Sequence, residues 1–130
     1  MLRVFLDANV LFSAAYREGA GLLALWKRSG IELLTSGYAV EEARRNLDTA
    51  DRRLRLEDLL AAVRIVSETP LTPLPRGVRL REKDEPILRA AMAAGVTHLL
   101  TGDLRDFGHL LGRRVGGLQI QTPGAFLRSR

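Results

Sequence analysis

Short apolar runs alternate with amphipathic or alanine-rich stretches along the whole chain, and this alternation restricts the fold more than any other feature. Strands are expected over residues 2–6, "IELLTS" (31–36), "RIVSE" (64–68), "THLLT" (97–101) and "LQIQ" (118–121). Helices are expected from Asn9 to Ala15, within "EGAGLLALWKRSG" up to a stop at Gly30, over 38–50 and over 54–63. Further helices are expected from Pro86 to Ala94 and over "LRDFGHLLG", with a terminal turn capped by Thr122 and Pro123. The proline-rich "TPLTPLPRGVRLREKDEP" reads as a surface loop and not as a linker between domains. Strands that alternate with helices make βαβ units, whose parallel strands are covered on both faces. The expected fold is therefore α/β, a three-layer α/β/α sandwich with a mostly parallel central sheet of four or five strands. Residues 1–130 are expected to form a single domain around one core.

Composition narrows the chemistry. There are no cysteines, so disulfides, thiolate metal sites and a cysteine nucleophile are excluded. No apolar run approaches the roughly 18–20 residues of a membrane span, and the chain enters a strand at once; a cytoplasmic protein is expected. The net charge is +5, and Lys27 and Lys83 are the only lysines among the 20 basic residues. Arginine pairs bidentately with phosphate, which suits a nucleic-acid partner, although the same residues also serve as plain surface charge.

The acids carry the functional signal. Asp7 interrupts the apolar run "RVFLDANVLFSA" at the carboxyl end of the first strand. A lone buried carboxylate is costly or is driven towards its neutral form. Asp103 in "TGDLRDF" lies just past the strand "THLLT", and Asp84 in "KDEP" precedes a helix that feeds this strand. All three therefore fall at the carboxyl edge of a parallel sheet, where open α/β sheets bind ligands. Taken singly, Asp7 and Asp84 also read as helix caps, and "TGD" as ordinary turn chemistry. A fourth acid comes from "SGYAVEEARRNL", in which Ala39, Val40, Ala43, Leu47 and Ala50 share a helical face. Glu42 lies roughly 110° from the centre of that face and Glu41 roughly 150°. Glu42 thus sits at the core margin and Glu41 points to solvent.

Carboxylates gathered at one edge repel each other unless a cation lies among them. Oxygen donors without histidine or cysteine suit Mg²⁺ or Mn²⁺. His98 reads as a strand residue and His109 as a helix-surface residue. Carboxylate-held metal activates water and stabilises the leaving oxygen in phosphodiester hydrolysis, so acids at the edge with arginines around them describe a nuclease.

The same segments resemble the PIN-domain nucleases, in particular the toxin-like (VapC-type) branch of bacterial toxin–antitoxin systems. "FLDANVLFSA" is similar to that family's opening strand. "LLTSGYAVEEARRNL" is similar to its second motif, "KDEPILRAAMAAGVTHLLTGDLRDF" to its third and fourth, and "LQIQTPGAFL" to its ending. The resemblance covers essentially the whole chain. It implies a metal-dependent endoribonuclease, the toxin of a toxin–antitoxin pair, with RNA as substrate, an antitoxin as partner and Mg²⁺ or Mn²⁺ as cofactor. By position, Asp7, Glu42, Asp84 and Asp103 would bind the metal as catalytic acids, with Asp106 a further metal-binding acid. Asn9 and Thr101 would support them by hydrogen bonding. The chain departs from the family pattern at Ala8, where a threonine is usual. Glu85 directly follows Asp84, so either is open as the third acid.

The alternative is a catalytically weak or inactive PIN-like module that binds RNA or protein. An aspartate-nucleophile phosphatase needs a second aspartate two residues after the first, where Asn9 stands, and a receiver domain needs a lysine that "THLLTGD" does not offer. Leu22 and Trp26 are read as core, with a homodimer face as the other option.

Overall fold

The computed structural model describes residues 1–67 and 73–129. Glu68 of "RIVSE" and residues 69–72 of the proline-rich stretch lie outside the described residues. The strands are β1 (Leu2–Leu6), β2 (Ile31–Ser36), β3 (Arg64–Val66), β4 (His98–Leu100), β5 (Arg114–Val115) and β6 (Leu118–Gln121). The helices are α1 (Ala8–Ala15), α2 (Ala24–Lys27), α3 (Gly37–Asn46), α4 (Ala50–Leu60), α5 (Glu85–Ala93) and α6 (Pro123–Arg128).

The sheet runs β3-β2-β1-β4-β6-β5, and every neighbouring pair is parallel except β5–β6. From β1 the chain steps outward to β2 and β3, then returns to the other side of β1 for β4. The crevice between β1 and β4 is thus a topological switch point, where α/β sheets bind ligands. Val4, Phe5 and Leu6 are all fully buried. Successive strand residues face opposite sides, so both faces of β1 are covered, as a three-layer arrangement requires. Phe5 pairs with Leu34 and Leu99, while Leu6 pairs with Leu100. Leu34, Leu99, Ile120, Phe107 and Phe126 continue this core without exposure. Leu22 and Trp26 are half-buried and pack against it.

Helices begin abruptly at the carboxyl edge. Asp7 is the only residue between β1 and α1, and its side chain accepts the Ala8 N–H at 2.6 Å. Ser36 is both the last residue of β2 and the cap of α3, its Oγ accepting the Ala39 N–H at 3.2 Å. Such side-chain oxygens satisfy N–H groups that the first helical turn leaves unpaired.

The structure departs from expectation in four places. The sheet has six strands instead of four or five, because Arg114–Val115 adds a short antiparallel edge. "LRDFGHLLG" forms turns and one 3₁₀ turn (Gly108–Leu110) instead of a continuous helix; Asp103 Oδ1 accepts the N–H groups of Arg105 and Asp106 and caps only a single turn. The segment from Gly19, where φ is 67°, yields only a 3₁₀ turn (Gly21–Leu23) before the four-residue α2. The helix expected over 38–50 ends at Asn46; Leu47 turns extended while remaining buried, and the next helix, expected over 54–63, instead starts at Ala50 and ends at Leu60.

Candidate active site

Asp7 is 3% exposed, and the polar groups around it come from two strand ends. Thr101 Oγ1 donates to Asp7 Oδ2 at 2.8 Å, and Asn9 Nδ2 donates to the same oxygen at 3.1 Å. Asn9 Nδ2 is also 3.3 Å from Thr101 Oγ1, and its Oδ1 accepts the Gly102 N–H at 2.7 Å. The Asp103 N–H in turn donates to Thr101 Oγ1 at 3.0 Å. Asn9 and Thr101 therefore bind the turn after β4 to the turn after β1 and hold Asp7 and Asp103 side by side. A bulkier residue at 102 would crowd this clasp, since a Cβ there would meet Asn9 Oδ1 at 3.2 Å. Burial, against the lowering effect of the Thr101 and Ala8 hydrogen bonds and with the charges of Glu42 and Asp103 adding to it, raises the Asp7 pKa to about 6.

Asp7, Glu42, Asp84 and Asp103 all line one open cleft of about 290 Å³ at the switch point. Glu42 projects from α3 half-buried, as the helical face suggested, while the exposed Glu41 pairs with Arg44 at 3.2 Å. Asp84 holds the N-cap position of α5, yet its side chain caps nothing. Instead it is buried, its Oδ2 lacks a hydrogen-bond partner, and the carboxylates of Asp103 and Asp106 lie close to it. Burial and the neighbouring Asp106 carboxyl raise the Asp84 pKa, and sharing a proton with Asp84 lowers that of Asp106. Glu85, the other option for the third acid, pairs with Arg89 at 3.0 Å on α5 and is not among the cleft residues. Asp84, Asp103 and Asp106 each bring one carboxylate oxygen within 4.8 Å of the others. Asp7 and Glu42 share the cleft but stand outside this tighter trio. Asp106 is not part of the cleft wall; its Oδ2 faces Arg81 at 3.7 Å and Lys83 at 3.8 Å.

His98 is buried in β4 with its ring edge against Phe126, and His109 is exposed on the 3₁₀ turn, so neither enters the cleft. Three lining residues escape a reading based on acids: Phe12, Asn46 and Lys83. The position of Lys83 next to Asp84 was a signal for one of them. Asn46 follows Glu42 by one turn of α3 and so shares its face, a signal that the sequence also held. The bare oxygen of Asp84, the absence of nitrogen or sulfur donors and the crowding of carboxylates fit a hard divalent cation.

Comparison with known proteins agrees with the fold. A family model described as PIN domain matches residues 3–105. VapBC2 from Rickettsia felis, solved bound to a DNA fragment from their promoter, contains a chain similar in fold: TM-score 0.65, 13% identity, covering 93% of this chain and 98% of that one. A chain of VapBC-1 from nontypeable Haemophilus influenzae is similar with TM-score 0.60 and 14% identity, covering 95% of this chain and 99% of that one. No curated protein sequence matches significantly.

Proposed function

The chain belongs to the PIN-domain family, and from that premise we propose that it is a Mg²⁺- or Mn²⁺-dependent endoribonuclease, the toxin of a toxin–antitoxin pair. The observation that carries this reading is the meeting of Asp7, Glu42, Asp84 and Asp103 in one cleft at the switch point of the sheet. Asp84, Asp103 and Asp106 would hold a cation, with Asp7 and Glu42 lining the same cleft. When bound, such an ion supplies an acid that activates water at neutral pH and compensates charge on the leaving oxygen of a phosphodiester.

The chain's own residues prepare this chemistry. Thr101 and Asn9 fix the Asp7 carboxylate, leaving it little freedom to turn away from the cleft. Thr101 also orients the backbone that presents Asp103. The Asp103 Oδ1 turn bonds bring Asp106 back beneath Asp84. The Ala8 departure removes a hydroxyl from the cleft wall, while the Thr101 hydroxyl still reaches Asp7. The four acids retained in the cleft favour the enzyme reading over the binding module.

The test is incubation of the purified protein with single-stranded RNA in Mn²⁺, Mg²⁺ or EDTA. Cleavage in either metal but not in EDTA, lost in Glu42→Gln, is the expected result. Metal-independent cleavage, or none by the wild type, contradicts the reading. The partner is proposed to be a small antitoxin protein encoded beside this chain, and co-expression with it should suppress the cleavage.

A further inference from the structure

The floor of the cleft is acidic, but its wall also carries one cation and one aromatic ring among the described residues, Lys83 and Phe12. We propose that these two form a subsite for a single unpaired nucleotide, Lys83 taking a phosphate oxygen and Phe12 stacking on the attached base. The inference rests on the nuclease reading and deepens it by naming the groups that recognise the substrate.

Lys83 is placed for such a contact. Its carbonyl accepts the Tyr38 hydroxyl at 2.6 Å, which ties the segment before α5 to α3. Its side chain is half exposed, and the ammonium group lies 3.8 Å from Asp106 Oδ2, a loose pairing. Elsewhere this arginine-rich chain engages carboxylates more closely, as Arg44 does with Glu57 at 2.7 Å. An arginine fork at 83 would lock onto the acids bidentately, whereas an ammonium is a point charge on a flexible stem. It is therefore free to turn from Asp106 to a phosphate that enters the cleft.

Phe12 follows Ala8 by one helical turn, so both present to the same side of α1. The ring is half-buried and backed by Tyr16, with centroids 5.3 Å apart, and Tyr16 is held in turn by the Arg52 guanidinium 3.8 Å from its ring centre. This column fixes the Phe12 ring at the cleft. An aromatic ring stacks on a base only when that base's face is free, which selects an unpaired nucleotide over a duplex.

The experiment measures binding of a fluorescent 12-nucleotide RNA, single-stranded or annealed to its complement, in Ca²⁺ across a salt series. Lys83→Gln should reduce the magnitude of the single-strand salt slope by about 0.7, the share of one phosphate contact. Phe12→Leu keeps an apolar side chain of similar reach, and should weaken single-strand binding about tenfold while leaving duplex binding unchanged. Unchanged behaviour of either variant, or equal loss of single strand and duplex in Phe12→Leu, overturns the subsite. Wild-type cleavage in Mn²⁺ separates the two readings. Cleavage with unaltered variants overturns the subsite alone, and a wild type that neither binds nor cleaves RNA overturns the nuclease reading with it.

Discussion

At the scale of residues, the site is a set of carboxylates with unequal surroundings. Glu42 enters the cleft and Glu41 is spent on Arg44 at the surface. Glu42→Gln should therefore abolish metal-dependent cleavage and Glu41→Gln should leave most of it, as initial rates on one RNA will show; the reverse would mean that the helix is turned by one residue. Asp7 supplies a pH dependence. Its pKa is about 6 when folded against an ordinary aspartate value of 3.8, so the folded state holds the proton more tightly. The stability this group contributes is complete below about 3.8 and is lost as pH rises through about 6. Asp84 is shifted the same way, whereas Asp106, held low by Asp84, acts in the opposite sense. In EDTA, the Tm of Asp7→Asn minus that of wild type should rise between pH 4.5 and 7. A flat or falling difference would contradict the burial argument. Asp7 was legible in the sequence because a carboxylate inside an apolar run violates a strong rule, Asp84 and Asp103 because they fall at the carboxyl edge of the sheet, and Glu42 from its helical face. The choice between Asp84 and Glu85 was not, because it depends on where α5 begins and which side chain turns inward.

At the scale of elements, each acid is delivered by a strand end or a helix start. Ser36 is fully buried and caps α3, the helix that carries Glu42. Ser36→Ala should cost about 0.5–2 kcal/mol in urea unfolding. It should also lower cleavage by freeing the first turn of α3, an effect visible in kcat at saturating RNA. Undiminished stability would show that the cap contributes nothing. Strands β1, β2, β4 and β6 were readable from their apolar runs. The short β5 was not, since two residues carry no period. Its signal was "VGGL": Gly116 and Gly117 have φ of 56° and 87°, the positive values of a two-residue hairpin turn, and Val115 pairs with Leu118 across them. The segment "LRDFGHLLG" does not run on as a helix: Asp103 caps a single turn, accepting the N–H groups of Arg105 and Asp106, and that turn returns Asp106 to the site.

At the scale of the whole molecule, the parallel order of the sheet sends the carboxyl ends of β1 and β4 to one crevice, and the clasp between Asn9, Thr101 and Gly102 closes their junction. The cost is a protein that gathers buried and like-charged carboxylates when no cation is bound. The central claim is that these carboxylates are a divalent-metal site. The most direct measurement is the Tm of wild type and Asp7→Asn at pH 7.5, each in EDTA and in increasing Mn²⁺. A cation that binds only the folded state adds about 2.7 kcal/mol at a hundredfold excess over its Kd, several degrees in Tm for a domain of this size. The wild-type Tm should climb with Mn²⁺, with a much smaller shift in Asp7→Asn. A wild-type Tm indifferent to Mn²⁺, or an equal shift in the variant, would contradict the central claim.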